Sequence, residues 1–150
     1  MNATQARNRA RADIEPEVLA ARARDFGFRL ADRDELQAAI SMAESLIDGK
    51  LASVDAISAM NVQTGMTAWV TGDPVDGIFL TIPLSAEGEA AVRNGSYVPA
   101  APSSEHLATQ GKDIAAFYVG VYAGSSREAR KKIMTASAVL RVEMFGVFPA

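Results

Sequence analysis

The residues best suited to chemistry stand together near the C-terminal end of the chain. An apolar stretch, Phe117-Tyr118-Val119-Gly120-Val121-Tyr122, runs into Gly124-Ser125-Ser126, and the cations Arg127, Arg130, Lys131 and Lys132 follow at once. That order predicts a buried strand, a tight turn and a helix N-terminus. A helix N-terminus carries free backbone N–H groups and a partial positive charge. Exposed cations placed there cost roughly 0.3–1 kcal/mol each. A phosphate or pyrophosphate would offset that cost and occupy the free N–H groups. Gly124, Ser125, Ser126, Arg127 and Arg130 are therefore a candidate anion site. Solvation of the four cations, or pairing with Glu128, accounts for the same residues without a ligand. Both readings stay open at the level of sequence.

Other candidates are weaker. His106, the one histidine, can serve as a general base near neutral pH, but a lone histidine is more often a surface residue. Tyr118 and Tyr122 are expected on one strand face, either presenting hydroxyls to a pocket or packed in the core. Asp73 and Asp76 flank a turn and suit a substrate amine, or simply a polar hairpin tip. Trp69 reads as a core anchor of that hairpin. Ser103 and Ser104 lack a nucleophile elbow or a nearby base, which argues against a serine hydrolase.

The elements that must position these residues follow from periodicity and punctuation. Residues 1–13 read as a frayed leader, and Pro16 can open a short helix. Phe26–Leu30 alternates as a short strand would. Asp32 and Glu35 have capping-box spacing, and Leu36, Ala39, Ile40, Ala43, Leu46 and Ile47 follow as one helical stripe closed by Gly49. A second helix starts near Ser53 and ends at Gly65. Met66–Thr71 and Val75–Leu84 predict a hairpin turning at Gly72-Asp73-Pro74. Gly77 suggests a bulge or a close backbone approach, and Pro83 an edge or a bend. Ser85 caps a short helix stopped by Asn94-Gly95. Residues 96–112 read as a long connection, and 114–122 as the central strand. Ser125 and Glu128 again match a capping box, opening a helix over 126–144. The apolar end, 145–150, is expected to begin a last strand.

Composition limits the chemistry. A chain of 150 residues can bury roughly 70% of its unfolded surface in one core. With no cysteine there are no disulfides, thiolate metal sites or cysteine nucleophiles, and one histidine excludes a histidine cluster. No metal is expected. A net charge of −3 does not favour nucleic acid. No apolar run approaches the length of a membrane span. The N-terminal segment, with Arg7, Arg9 and Arg11, has no apolar core of a secretory signal. The expectation is a cytoplasmic protein with a leader over 1–25 and one α+β domain over 26–150, built on a central, mostly antiparallel sheet with flanking helices.

The order of elements resembles the GNAT superfamily of N-acyltransferases. In that family a strand and helix pair is followed by a β-hairpin, then by a strand that turns into a helix gripping acyl-CoA pyrophosphate. Phe28–Leu36 looks like the first strand and helix, Gly72–Leu80 like the hairpin turn and its outgoing strand, and Phe117–Tyr122 like the splayed strand. Gly124–Arg130 corresponds to the pyrophosphate loop, with Ser126-Arg127-Glu128-Ala129-Arg130 where the family carries glycines. The order is also similar to that of the toxin-activating lysine acyltransferases. The family's later helix and strands have no counterpart before residue 150, so the expected fold is GNAT-like and incomplete. The resemblance implies acyl-CoA or acetyl-CoA as cosubstrate and a small-molecule or peptide amine as acceptor. It also implies that the Val121 amide polarises the thioester, while the amides of Gly124, Ser125, Ser126 and Arg127, with Arg127 or Arg130, hold the pyrophosphate.

A reading of another class is a non-catalytic ligand-binding or dimerisation module. Val142, Met144, Phe145, Val147 and Phe148 crowd apolar groups near the chain end, which points to a homodimer.

Overall fold

The computed structural model describes residues 16–110 and 112–145. Helices α1 (Pro16–Arg24), α2 (Arg33–Ile47), α3 (Val54–Thr64), α4 (Ala86–Asn94) and α5 (Arg127–Phe145) surround four strands, β1 (Arg29–Leu30), β2 (Ala68–Thr71), β3 (Gly77–Leu84) and β4 (Ala116–Gly124). The strands form one antiparallel sheet in chain order, β1-β2-β3-β4. The expected α+β class, antiparallel sheet and flanking helices are all present. The leader residues 1–15 and the tail 146–150 lie outside the described residues, as do the side chains on which the homodimer expectation rested.

Local chemistry sets most element ends. Asp32 and Glu35 form the complete capping box of α2: the Asp32 carboxylate accepts from the Glu35 amide, and Glu35 accepts in return from the Asp32 amide. Ser53 and Ser85 cap α3 and α4 through the amides of Ala56 and Gly88. Gly65 and Gly95 end those helices in the left-handed conformation, which glycine adopts without steric cost. At the end of α2 the left-handed residue is Asp48, not the expected Gly49. A short polar side chain tolerates that region better than most.

Two cores sandwich the sheet. On one face α2 and α3 bring Leu36, Ala39, Ile40, Ala43, Ile57 and Met60 onto Ala68, Val70, Ile78, Leu80, Ile82 and Leu84. On the other face α1 and α5 bring Leu19, Ala23, Ile133, Ala136 and Leu140 onto Trp69, Phe79 and Phe28. Trp69 is fully buried; its indole N–H donates to Thr81 Oγ1 at 3.2 Å and its ring stacks on Phe79. That is the hairpin anchor the sequence predicts.

The central strand is β3 rather than β4. All eight residues of β3 are buried, and it pairs on both sides. Among the described residues β4 pairs only with β3, and Val119 is 52% exposed. Pro83 fits because of where β2 stops. Thr81 donates to Thr67, so Pro83, two residues on, directs its nitrogen toward the same side. The paired residues of β2 begin at Ala68, opposite Leu80, and do not reach that far. No ladder bond is lost there, and the Pro83 carbonyl accepts from Ala108 at 2.9 Å.

The bulge falls in β4 and not at Gly77. Phe79 pairs with Tyr122 and Thr81 with Val119, so β4 carries one extra residue near Gly120–Val121. A bulge of this kind leaves a residue out of the ladder and switches the faces beyond it. Tyr118 consequently packs on the α2–α3 face and Tyr122 on the α1–α5 face, rather than together. At Gly77 the other alternative holds, a close approach: an added Cβ would come within 2.9 Å of Thr71 Cγ2.

Candidate functional site

The β4–α5 junction is held against the β2–β3 hairpin. The Ser125 amide and hydroxyl donate to the Asp76 carbonyl at 2.9 and 3.3 Å. Asp76 in turn donates its own amide to Thr71. Ser126, not Ser125, caps α5: its hydroxyl accepts from the Ala129 amide at 3.0 Å. The expected Ser125–Glu128 capping box does not form: Ser125 is engaged by the hairpin, and with Ser126 as the cap the third helical residue is Ala129, which has no polar side chain to complete a box. Gly124 is buried where the helix start comes down on it; an added Cβ would sit 2.9 Å from the Arg130 nitrogen.

These bonds change which groups of the predicted site remain free. The Ser125 amide is used. Arg130 turns back to the Gly124 carbonyl at 3.3 Å, so it braces the turn. The amides of Ser126, Arg127 and Glu128 meet no acceptor among the described residues. The Arg127 side chain is exposed, and Arg127, Arg130, Lys131 and Lys132 form no ion pair among the described residues. A helix start with free amides and unpaired cations thus stands at the end of a bulged edge strand.

Val121, the sixth predicted residue, lies three strand positions before Gly124, about 10 Å along β4. It borders a cavity of about 370 Å³ on the α2–α3 face of the sheet. Leu80, Ile82, Ile57 and Met60 form its apolar floor and wall, and Ile47, Lys50, Leu51 and Ala52 of the α2–α3 connection stand along another side. Tyr118, Gly120, Pro99 and Ala100 complete it. Gly120 is required by contact: an added Cβ would come 2.9 Å from Leu80 Cβ. The volume lies within the roughly 300–1,000 Å³ of small-molecule sites. Nothing in the sequence marks it, since its lining comes from five separate stretches.

A second feature lies behind Tyr118. Its ring packs 5.0 Å from that of Tyr97, which lies 6.2 Å from the His106 ring. The Tyr97 hydroxyl and His106 Nδ1 are both buried without a hydrogen-bond partner. Burial, and then the neighbouring Tyr118, push the Tyr97 hydroxyl up to about 12. The connection that carries His106 is ordered: Ser104–His106 forms a 3-10 turn, Leu107 bridges to Leu84, and the His106 carbonyl accepts from the Ser85 amide at 3.1 Å. Gly88 makes this packing possible, because a Cβ there would overlap the His106 carbonyl.

A broader hollow of about 670 Å³ lies between α3 and the same connection. Several of its polar groups are bonded within the loop: Gln63 donates to the Ser104 carbonyl at 2.8 Å, and the Ser85 hydroxyl to the Glu105 carbonyl at 2.6 Å. Asp73 and Asp76 stay at the hairpin tip. Among the described residues no cluster of three or more His, Asp or Glu side chains is arranged for a metal ion, and no helix is long and apolar enough to cross a membrane.

No protein-family model matches the chain, and neither does any curated protein or solved structure.

Proposed function

We propose that the chain is a GNAT-like N-acyltransferase that uses acyl-CoA or acetyl-CoA. The supporting observation is the run of β4 through its bulge into α5, where free amides at Ser126–Glu128 and unpaired cations follow an edge strand directly. The order β1, α2, α3, the hairpin β2–β3, β4 and α5 also agrees with the order that the resemblance implies, with α4 inserted between β3 and β4. The pyrophosphate lies at the start of α5, held by those amides and by Arg127. The acyl-pantetheine arm follows the outer edge of β4 toward Val121. There the amide of Val121, beside the bulge, polarises the thioester carbonyl. The acceptor amine attacks the carbonyl carbon, the carbon–sulfur bond breaks as the amide forms, and the leaving thiolate takes up the proton that the amine nitrogen gives up. Catalysis of this kind rests mainly on positioning.

Thermal-shift and calorimetric titration of the full chain with acetyl-CoA and longer acyl-CoAs tests this reading. Binding raises the melting temperature, because only the folded state offers the site. Arg127→Glu weakens CoA binding by about tenfold or more, equivalent to about 1.4 kcal/mol, and slightly raises the unliganded melting temperature, because a carboxylate suits a helix N-terminus better than a cation. Failure of every acyl-CoA to bind would overturn the proposal.

A second reading, pairing of two copies along β4, is favoured by the outer edge of that strand, which has no partner strand among the described residues. An open edge is a template for another strand. Light scattering at high micromolar concentration tests it; a monomer there rules it out.

A further inference from the structure

The cavity beside Val121 combines an apolar interior with one charged residue. Of its lining side chains only Lys50 carries charge. It is exposed, in the α2–α3 connection, and makes no ion pair among the described residues. Asp48, the acidic residue within the connection, is exposed and forms no ion pair among the described residues. The connection is tied to α2, where the Glu44 carboxylate accepts the Leu51 amide at 3.0 Å. That bond pins the loop and fixes where Lys50 begins. Deeper in, Leu80, Ile82, Ile57 and Met60 offer no hydrogen-bonding side-chain group, and an ionised group cannot lie among them without a partner.

The geometry points to a small carboxylate with an apolar body as the occupant of this cavity, its apolar part on Leu80, Ile82, Ile57 and Met60 and its carboxylate at Lys50. Apolar contact supplies affinity at roughly 25 cal/mol per Å² buried. The ammonium supplies orientation and sign, since an ammonium ligand of the same shape would meet Lys50 as a like charge. In one respect the inference rests on the acyl-transfer reading. If that reading holds, the carboxylate also bears the amine that attacks the thioester beside Val121, so the acceptor is an apolar amino acid or a similar compound. The cavity's preference for a carboxylate stands without it.

The test compares three probes of equal length, hexanoate, hexylamine and hexanol, by amide chemical-shift titration of the full-length chain. Hexanoate is expected to shift the amides of Leu51, Gly120 and Val121 saturably, and at least about tenfold more tightly than hexylamine. Lys50→Glu should reverse that order, and Lys50→Arg should keep it. Equal or tighter binding of hexylamine to the wild-type chain, shifts away from these amides, no saturable hexanoate binding, or an unchanged order in Lys50→Glu would each overturn the proposal. The acyl-transfer reading is scored separately, by CoA shifts at Ser126–Glu128. CoA binding without hexanoate binding removes the carboxylate site alone. Hexanoate binding without CoA binding removes acyl transfer and leaves the site.

Discussion

The two faces of the sheet are built from the same strands but filled in different ways. Toward α1 and α5, Trp69, Phe79 and Phe28 close the layer with large rings in contact, Phe28 edge-on to Phe79 at 5.1 Å. Toward α2 and α3 the strands present aliphatic side chains, and the cavity beside Val121 lies on this face, next to the bulged part of β4. Rings that interlock fill space to near-crystalline density. On the aliphatic face the side chains leave a cavity of about 370 Å³ unfilled. The first face is the rigid support, and the second is where a ligand has room.

The sharpest way to break this contrast is to open the filled face. Trp69→Ala removes the largest fully buried side chain and leaves Thr81 without its indole donor. The loss of stability is about 3–5 kcal/mol, read by urea denaturation. If instead the chain loses under about 1 kcal/mol, the aromatic layer is not the support described here.

Asn61 joins the two layers on the opposite face. Its side chain is buried, donates to the Ala31 carbonyl at 3.2 Å and accepts from the Ala68 amide at 2.8 Å, tying α3 to the start of α2 and to β2. Asn61→Ala leaves a buried Ala68 N–H unpaired, at a cost of about 1–3 kcal/mol. Because this tie holds α3 beside the cavity, hexanoate affinity should fall as well, whereas Trp69→Ala should lower stability with less effect on the ligand. A double titration of both variants checks the separation.

Much of the fold was legible because its signals are local. Asp32, Ser53 and Ser85 act within three residues of themselves, and each caps the helix expected of it. The hairpin and its Trp69 anchor were legible through β-branched and aromatic residues around a Gly-Asp-Pro turn. What escaped depended on partners distant in sequence. The bulge falls beside Gly120, a glycine inside the strand of the kind that marked Gly77. Whether such a glycine means a bulge or a close approach depends on a distant partner, here Leu80, so the parting of Tyr118 and Tyr122 to opposite faces was not legible. The centrality of β3 did have a sequence signal, an apolar run of eight residues bounded by turns, but the β4 stretch is equally apolar and masked it. Of the candidate site, the helix start at Ser126–Arg127 was legible as chemistry. The diversion of Ser125 to Asp76 and of Arg130 to Gly124 was not, because both are tertiary bonds.

The smallest expected effect concerns Tyr97, which sharpens the contrast at the edge of the open face. Its hydroxyl is buried, lacks a partner, and packs between Tyr118 and His106. An unpartnered buried polar atom costs free energy, so Tyr97→Phe should keep or slightly raise stability at neutral pH, against the usual direction for a buried substitution. The alkaline range gives the sign a second check. The Tyr97 pKa is raised to about 12 in the folded chain, first by burial and then by Tyr118, from about 10 when unfolded. Between those values the unfolded chain has released the proton and the folded chain still holds it, so folding stability falls as pH rises from about 10 to 12. Below pH 10 the contribution is constant. Tyr97→Phe should therefore lose less stability across that window than the wild-type chain. It should also remove the tyrosinate absorbance step near pH 12. A variant with an unchanged alkaline titration, or with a clear loss of stability at neutral pH, would mean that the hydroxyl has a partner after all, and His106 Nδ1, 6.2 Å away ring to ring, would be the first group to examine.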